Sequence, residues 1–331
     1  MCGGLTEGTM RIVVLGLGAV GGTLAAALAE AGQDVVGIAR GAHHAAIGTY
    51  GLSLPSPQGD VRLPLDCVDT PARLHFGPED AVILATKTQQ TPAALEALRA
   101  AGLEDQPVFC AQNGVENERL AARLFANVHG IAVMLPADHL RPGEILAYGA
   151  PKAGFLDIGR APRGADAADA ALAAAFEGSR VAGFVTEDVM AAKYGKLLLN
   201  LGNAVEAALG PGADRQPFLQ ALQDEAVAVY RAAGIGWQDR GAGDPRRAAL
   251  MRIAEIPGVT RAGSSSTQSL VRQTGSIESD YLNGEIALIA RQAGIAAPRN
   301  AALARLAARL AREGKPPGSV DRATLSALLG L

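Results

Sequence analysis

Three polar side chains share a short and otherwise apolar stretch of the chain: Lys196, Asn200 and Asn203. On a helix with about 3.6 residues per turn, Asn200 lies about 40° and Asn203 about 20° from Lys196 around the axis, so the three form one polar stripe. Buried amine and amide groups are costly unless they find partners. We therefore interpret this stripe as one wall of a ligand cleft rather than as a solvated helix face.

A glycine-rich turn follows an apolar run near the start of the chain. It consists of Gly16, Leu17, Gly18, Ala19, Val20 and Gly21. In this spacing the first glycine allows a tight turn, the second lets a pyrophosphate approach the backbone, and the third lets helix and strand pack closely. A helix-forming stretch comes next, so its N-terminus would face the phosphates. These six residues are predicted to bind a dinucleotide.

The second predicted strand, Asp34 to Ala39, ends beside an arginine instead of a carboxylate. A turn selective for NAD has an acidic residue about 20 residues further on, where it binds the ribose 2′-hydroxyl. Here no Asp or Glu lies between Asp34 and Asp60, and Arg40 stands at the carboxyl end of the strand. Because a guanidinium pairs well with a phosphate, Arg40 favours NADP as the cofactor.

Two further polar residues follow runs that we interpret as buried strands. Lys87 comes directly after Ala81 to Thr86, and Asn113 with Gly114 comes after Pro107 to Ala111. Ligands of open α/β sheets bind beyond the carboxyl ends of the strands. We therefore expect Lys87 and Asn113 at the cofactor crevice.

Two polar clusters precede helices in the last third of the chain, one at Ser264 to Ser266 and one at Ile277 to Gly284. At least one residue of each cluster is expected to cap a helix. Three serines in a row are more than capping requires. By contrast, we interpret His43 and His44 as a solvated loop pair and assign them no chemistry.

The elements that must position these residues alternate between strand and helix up to about residue 186 and are helical in period beyond it. Around residues 51–65 the pattern indicates a hairpin insertion. The predicted fold class is α/β, a doubly wound Rossmann-type sheet followed by an all-α C-terminal domain. We expect residues 10–186 to form the NADP-binding domain and residues 187–331 the helical substrate domain.

Composition excludes several classes of function. The 331 residues carry 30 Lys and Arg against 33 Asp and Glu, a net charge of -3, which argues against a nucleic-acid or anionic-membrane binder. Only 3 cysteines occur, and they are widely spaced, so neither a disulfide framework nor a zinc knuckle is expected. This cysteine usage indicates a protein of the reducing cytoplasm. No stretch is apolar enough to span a bilayer, and residues 1–9 lack the features of a signal peptide. The folded chain is expected to begin near Met10.

In this order, these motifs make the chain from Met10 resemble the ketopantoate reductase (2-dehydropantoate 2-reductase) family. The resemblance rests on the glycine turn, the strand-end lysine, the asparagine-glycine pair, the lysine segment with its leucines, and the serine cluster followed by ESDYLNG. It implies reduction of a 2-oxo acid by NADPH in a cleft between a Rossmann domain and a helical domain, as in pantothenate biosynthesis.

The resemblance also implies roles for individual residues. By position, Lys196 would act as general acid, and Glu278 would help to hold both the substrate and the lysine. The remaining family positions would contact the substrate, at Asn113, Asn200 and Ser266, or serve the cofactor, at Arg40, Lys87 and Asn113.

One departure from the family pattern concerns the substrate wall. The family usually has a second asparagine four residues after the first, where this chain has Ala204, and Asn203 stands one residue earlier on the Lys196 face. The physiological 2-oxo acid therefore stays open. An alternative is a different NADPH-linked carbonyl reductase or an opine-type imine reductase on the same scaffold. Another is a non-catalytic NADP-binding sensor, which the retained Lys196 and Glu278 disfavour. A homodimer also stays open.

Overall fold

The computed structural model describes residues 10–241 and 243–331. The leader, residues 1–9, lies outside the described residues. The strands, numbered in chain order, are β1 (Arg11–Leu15), β2 (Val35–Ile38), β3 (Leu52–Leu54), β4 (Val61–Leu63), β5 (Asp66–Val68), β6 (Asp80–Leu84), β7 (Val108–Cys110), β8 (Val128–Met134), β9 (Ala137–Arg141), β10 (Glu144–Ala147), β11 (Gly149–Pro151), β12 (Gly154–Arg160), β13 (Val181–Val185) and β14 (Met251–Ile253).

The helices are numbered in the same way. They are α1 (Ala19–Glu30), α2 (Gly41–Tyr50), α3 (Thr91–Ala100), α4 (Asn117–Ala121), α5 (Ala167–Ala175), α6 (Val189–Asn200), α7 (Asn203–Leu209), α8 (Gln216–Ala232), α9 (Pro245–Leu250), α10 (Ser265–Val271), α11 (Asn283–Gln292), α12 (Pro298–Arg312) and α13 (Arg322–Leu329). Short 3-10 turns occur at Pro71–Arg73, Thr88–Gln90 and Glu278–Tyr281.

The main sheet has the strand order β13-β12-β8-β7-β6-β1-β2-β5. From β5 to β8 all neighbours are parallel, whereas β12 runs antiparallel to β8. The chain builds outward from β1 through β2 to β5, and then from β6 through β7 to β8 on the other side. The strand order therefore reverses between β1 and β6, where ligands of such sheets bind. This topology confirms the predicted doubly wound fold class.

The first strand shows why both faces of the sheet are covered. Ile12 and Val14 point into a core that includes leucines of α1, and Val13 and Leu15 point into a separate core that includes leucines of α3. Successive side chains of a strand alternate between faces, so an unbroken apolar run needs a helix on each side. This packing fixes the carboxyl end of β1, where the glycine turn begins.

A second sheet, ordered β4-β3-β10-β9, packs against α1. β3 and β4 pair antiparallel, with Leu52 opposite Leu63, so the predicted hairpin insertion is confirmed. β10 joins this hairpin beside β3. The insertion thus becomes part of a four-stranded sheet rather than an isolated ribbon.

Beyond Val185 the described chain is helical apart from one short strand. The core of this helical region contains buried residues of α6, α7, α8, α11 and α12. The exception, β14, pairs antiparallel with β11 of the preceding region, with Ala150 opposite Arg252. None of the helices in residues 10–241 and 243–331 is both long and apolar enough to cross a membrane.

Candidate active site

A cleft of about 980 Å³ opens where the carboxyl ends of β1 and β6 face the helical region. Most of the residues singled out from the sequence line it. They are Gly16, Leu17, Gly18, Ala19, Val20, Arg40, Lys87, Asn113, Lys196, Asn200, Asn203 and Glu278. Gly21 and Ser266 do not lie on its wall, so the structure gives these two a different place.

The three glycines of the turn have three different surroundings. Gly16 has a φ of +100°, and a Cβ there would lie 2.9 Å from the Thr86 nitrogen. A Cβ on Gly21 would lie 2.1 Å from the Gly16 carbonyl oxygen, so this residue serves packing rather than contact with a ligand. At Gly18 a Cβ would meet nothing within 4 Å. The second glycine therefore leaves its side of the turn open to the cleft.

The start of α1 suits a pyrophosphate. Its first turn begins at Ala19, has no side-chain cap and contains no acidic residue. The backbone N–H groups of a helix N-terminus carry a partial positive charge and are available to an anion. Together with the open side at Gly18, these residues fit the dinucleotide that the glycine spacing predicts.

Two charged residues line the cleft beyond the second strand. Arg40 is exposed and follows β2, as predicted. Asp69 follows β5, which is the hydrogen-bonded neighbour of β2, and its carboxylate lies 3.8 Å from the Arg73 guanidinium. The sequence argument missed Asp69 because it considered only carboxylates close to β2 along the chain. Only the pairing of β5 with β2 reveals it.

The prediction of a solvated loop at His43 and His44 is wrong, because both residues belong to α2. The Nε2 atom of His43 is 2.7 Å from the Leu17 carbonyl oxygen, and its Nδ1 accepts from the Gly143 N–H at 2.8 Å. Burial lowers the pKa of His43. The neutral ring therefore holds the glycine turn through the Leu17 carbonyl, and it also lines the cleft.

The amine of Lys196 sits at the other end of the cleft. It donates to Oδ1 of Asn113 at 3.0 Å and to the carbonyl oxygen of Val133. Burial, together with the positive charges of Lys193 and Arg247, lowers the pKa of Lys196 to about 7. An amine that titrates near neutrality can give and take a proton readily at physiological pH.

One helical turn before Lys196, a buried ion pair fixes α6 in place. The amine of Lys193 donates to the Glu118 carboxylate and, at 3.1 Å, to the carbonyl oxygen of Cys110. Lys193 and Glu118 are 2% and 3% exposed. Since Cys110 ends β7 and Glu118 lies on α4, the pair anchors α6 to the elements that carry Asn113.

Two polar atoms on the substrate wall have no hydrogen-bond partner among the described residues. They are Nδ2 of Asn200 and Oγ of Ser265, both buried and both belonging to residues that line the cleft. Buried polar groups nearly always have partners, so these two atoms are available to a ligand. The available Asn200 amide agrees with the predicted polar stripe.

The serine cluster is shifted by one residue from the prediction. Ser264 is the N-cap of α10, and its Oγ accepts from the Thr267 N–H at 3.3 Å. Ser264 and Ser265 both line the cleft, whereas Ser266 is 2% exposed and does not line it. Neighbouring residues of a helix lie about 100° apart around its axis, so the start of the helix decides which serines meet the cleft.

The predicted stripe is carried by two helices instead of one. α6 ends at Asn200 and α7 begins at Asn203, with a break at Leu201 and Gly202. Asn203 nevertheless lines the cleft, and Ala204 is buried at 2% exposure. The break therefore leaves the amide of Asn203 on the same wall as Lys196.

Glu278 has a different partner from the one predicted. Its Oε2 accepts from the Lys87 amine at 2.8 Å, and its Oε1 accepts from the Thr88 N–H at 3.1 Å. The hydrogen bonds of the Lys196 amine go instead to Asn113 and Val133. The structure thus joins Glu278 to Lys87, across the two walls of the cleft, and does not join it to Lys196.

Four arginines of the helical region also line the cleft and were not predicted from the sequence: Arg215, Arg247, Arg261 and Arg272. They belong to no motif and lie far apart along the chain. Only the packing of α8, α9, α10 and the segment before α10 brings them to one wall.

The chain matches two family models, "Ketopantoate reductase PanE/ApbA" over residues 12–162 and "Ketopantoate reductase PanE/ApbA C terminal" over residues 188–311. It is 31% identical to the 2-dehydropantoate 2-reductase of Caulobacter vibrioides over 305 residues, 88% of this chain and 95% of that protein. The enzyme of the same name from Pyrococcus horikoshii is 27% identical over 299 residues, 88% and 94% of the two chains.

Among solved structures, the chain is similar to a PanE/ApbA family ketopantoate reductase from Ralstonia eutropha. The two share 30% identity and a TM-score of 0.75, over 92% of this chain and 99% of the other. The two family models together span most of the described chain. The chain therefore belongs, as a divergent member, to the ketopantoate reductase family of nicotinamide-dependent oxidoreductases.

Proposed function

We propose that this protein reduces a 2-oxo acid to the 2-hydroxy acid with NADPH. The observation that carries the proposal is the Lys196 amine, held by Asn113 on the wall of the cleft that begins at the glycine turn. 2-Dehydropantoate, which the names of the relatives state, is the first substrate to test. Reduction of 2-dehydropantoate would place the protein in pantothenate biosynthesis.

Residues 10–186 would bind the cofactor, and residues 187–331 would bind the substrate. The glycine turn would hold the pyrophosphate with its backbone, and Arg40 would pair with the 2′-phosphate. Lys87 and Asn113, at the ends of the strands, would lie nearest the nicotinamide. NADPH, when bound, supplies the hydride that the carbonyl carbon accepts.

Lys196 would donate the proton to the carbonyl oxygen as negative charge develops there. Its hydrogen bonds to Asn113 and Val133 fix the amine in place. A carboxylate close to a lysine raises the pKa of the amine because it stabilises the ammonium form. An anionic substrate would therefore charge Lys196 as it binds, which prepares the proton donor for the reaction.

The unpartnered donors of the substrate wall would orient the 2-oxo acid. Nδ2 of Asn200 and Oγ of Ser265 are placed to bind its carboxylate or carbonyl oxygen. We assign to Ser265 the contact that the family resemblance assigned to Ser266. Lys87 and Thr88 hold Glu278 between the two walls of the cleft, where it would help to hold the substrate.

The test is oxidation of NADPH by the purified protein with 2-dehydropantoate and a set of other 2-oxo acids, each with and without an added amine. We expect oxidation with at least one 2-oxo acid in the absence of amine. Oxidation that requires the amine would identify an imine reductase instead. Tight NADPH binding with no oxidation of any substrate would identify a sensor, and the proposal would fail.

A further inference from the structure

The helical wall of the cleft carries more positive charge than its own carboxylates balance. Arg215, Arg247, Arg261 and Arg272 all line this wall. Of these four, only Arg215 lies within ion-pair distance of a carboxylate of the described residues, that of Glu206. Three guanidinium groups on the wall therefore have no carboxylate partner in the described part of the chain.

The more enclosed arginines Arg180 and Arg246 are saturated by carboxylates. Arg246 binds Asp157 at 2.6 Å and Asp244 at 2.8 Å, and Arg180 binds Glu30 at 2.6 Å. Arg215 and Arg261 differ because both are exposed on the wall of the cleft. Their guanidinium groups can therefore be reached by an anion that enters the cleft.

The carboxylate nearest to Arg215 is already fully engaged. Glu206 accepts from the Ser264 N–H, from the Thr267 hydroxyl at 3.0 Å and from the Arg215 guanidinium. Burial, and then the charge of Arg261, lower the pKa of Arg215. The two guanidinium groups are therefore close enough to repel each other, and Glu206 has little capacity left to separate their charges.

Arg261 is held beside the cleft by an aromatic ring. Its guanidinium carbon lies 5.9 Å from the centroid of the Tyr148 ring, and the Tyr148 hydroxyl donates to Asp138 at 2.8 Å. A cation over such a ring is weakly attracted to it, which limits the positions of the side chain. Its planar donors stay available to an anion that enters the cleft.

We propose that Arg261 and Arg215 form a second anion site, and that the preferred substrate is a 2-oxo acid with another carboxylate at the far end of its side chain. This inference rests on the proposed function. Lys196, Asn200 and Ser265 would receive the 2-oxo acid group, and the two arginines would receive the distal carboxylate. Asn203, on the same wall, would line the part of the cleft that the side chain crosses.

The test compares two substrates with equal numbers of carbons, 2-oxoglutarate and 2-oxopentanoate, alongside 2-dehydropantoate. We expect kcat/KM to be at least about tenfold higher for the diacid. Arg261→Gln should lower the value for the diacid by roughly 10- to 100-fold, the usual effect of one charge-assisted hydrogen bond. It should leave the value for the monoacid within about twofold, because a neutral chain makes no such bond.

Arg252→Gln is the matched control. Arg252 is exposed, lies on β14 between two residues of the wall, and does not line the cleft itself. Its substitution should change kcat/KM for neither substrate. The affinity of the Arg261→Gln variant for NADPH should also be unchanged, and a loss of that affinity would mean that Arg261 binds the cofactor instead.

Two other outcomes would overturn the anion site while the proposed function stands. One is an equal loss for both substrates in Arg261→Gln, which would place the arginine on the 2-oxo acid group. The other is a preference for the monoacid. If no 2-oxo acid oxidises NADPH, the proposed function fails, and calorimetry with the corresponding 2-hydroxy acids decides the site. Tighter binding of the diacid that is lost in Arg261→Gln supports the site, and equal binding refutes it.

Discussion

The two ends of the cleft are built from different parts of the polypeptide. At the glycine turn the wall is mainly backbone, with an open side at Gly18 and the uncapped start of α1. At the other end the wall is made of side chains, among them the Lys196 amine, the Asn200 amide and the Ser265 hydroxyl. A wall of backbone recognises phosphates that many ligands share, whereas a wall of side chains can select one substrate. Substitutions at the first end should therefore change affinity, and those at the second should change turnover.

The largest expected effect is that of Lys196→Ala. Loss of a general acid lowers turnover by roughly 10²- to 10⁴-fold. The affinity for NADPH, measured by fluorescence titration, should be nearly unchanged because the other end of the cleft holds the cofactor. A variant that reduces its best 2-oxo acid at the parental rate would show that another group or water gives the proton.

The second prediction concerns the choice of cofactor. Arg40→Ala should remove most of a preference for NADPH over NADH of about 10- to 100-fold, since one charge-assisted pair with the 2′-phosphate would be lost. Asp69→Asn is the companion variant, because Asp69 lines the same part of the cleft and a carboxylate there opposes the phosphate. It should strengthen the preference for NADPH. Equal affinities for both cofactors in the parent protein would contradict the role of Arg40.

A pair of alanine variants separates the two uses of glycine in the turn. Gly18→Ala should weaken NADPH binding by about 5- to 30-fold, since the methyl group would occupy space at the open side, and should leave the melting temperature unchanged. Gly21→Ala should instead destabilise the fold by about 1 to 3 kcal/mol, because its Cβ would overlap the Gly16 carbonyl. Thermal unfolding and cofactor titration of both variants check this. A stable Gly21→Ala protein would show that the helix can shift.

The smallest expected effect is on pH dependence. The ammonium form of Lys196 is needed for reduction, and its pKa in the free protein is about 7. kcat/KM for reduction should therefore fall about tenfold per pH unit above that pKa, because the neutral amine replaces the ammonium. kcat should fall only at higher pH, since a bound carboxylate raises the pKa of Lys196.

Arg247→Gln provides the check on this pH profile. The charge of Arg247 is one cause of the lowered pKa of Lys196, so its removal should shift the fall in kcat/KM to higher pH. A loss of activity with no shift would indicate a structural role. A profile that does not change with pH between about 6 and 9 would exclude Lys196 as the proton donor.

The sequence predicts the main sheet well because its strands are apolar and their ends are marked by turn residues. The predicted strand Asp34 to Ala39 extends only one residue beyond each end of β2 (Val35–Ile38). By contrast, α2 escapes prediction because Ile47 is its one buried residue and the helix has no apolar stripe. Local pattern therefore identifies elements that build a core and misses those that only cover an edge.

The candidate site divides in the same way. The glycine turn and the stripe of Lys196 and Asn200 follow from spacing along one element. The partner of Glu278 does not, because Lys87 lies 191 residues away and meets it only through the fold. The shift from Ser266 to Ser265 depends on which serine caps α10, a choice that the three identical residues leave undecided.

The short strand β14 limits where the chain can be truncated or joined to part of a relative. It pairs with β11, and the Lys152 N–H also donates to the Leu250 carbonyl at 2.8 Å. A fragment ending at the proposed boundary after residue 186 would leave β11 without its partner, and an unpaired strand edge invites aggregation. A chimera that takes its helical region from a relative would have to match β14 to β11 as well as the helices. Exchange of substrate specificity by transfer of a whole region is thus constrained by the three residue pairs that join β14 to β11.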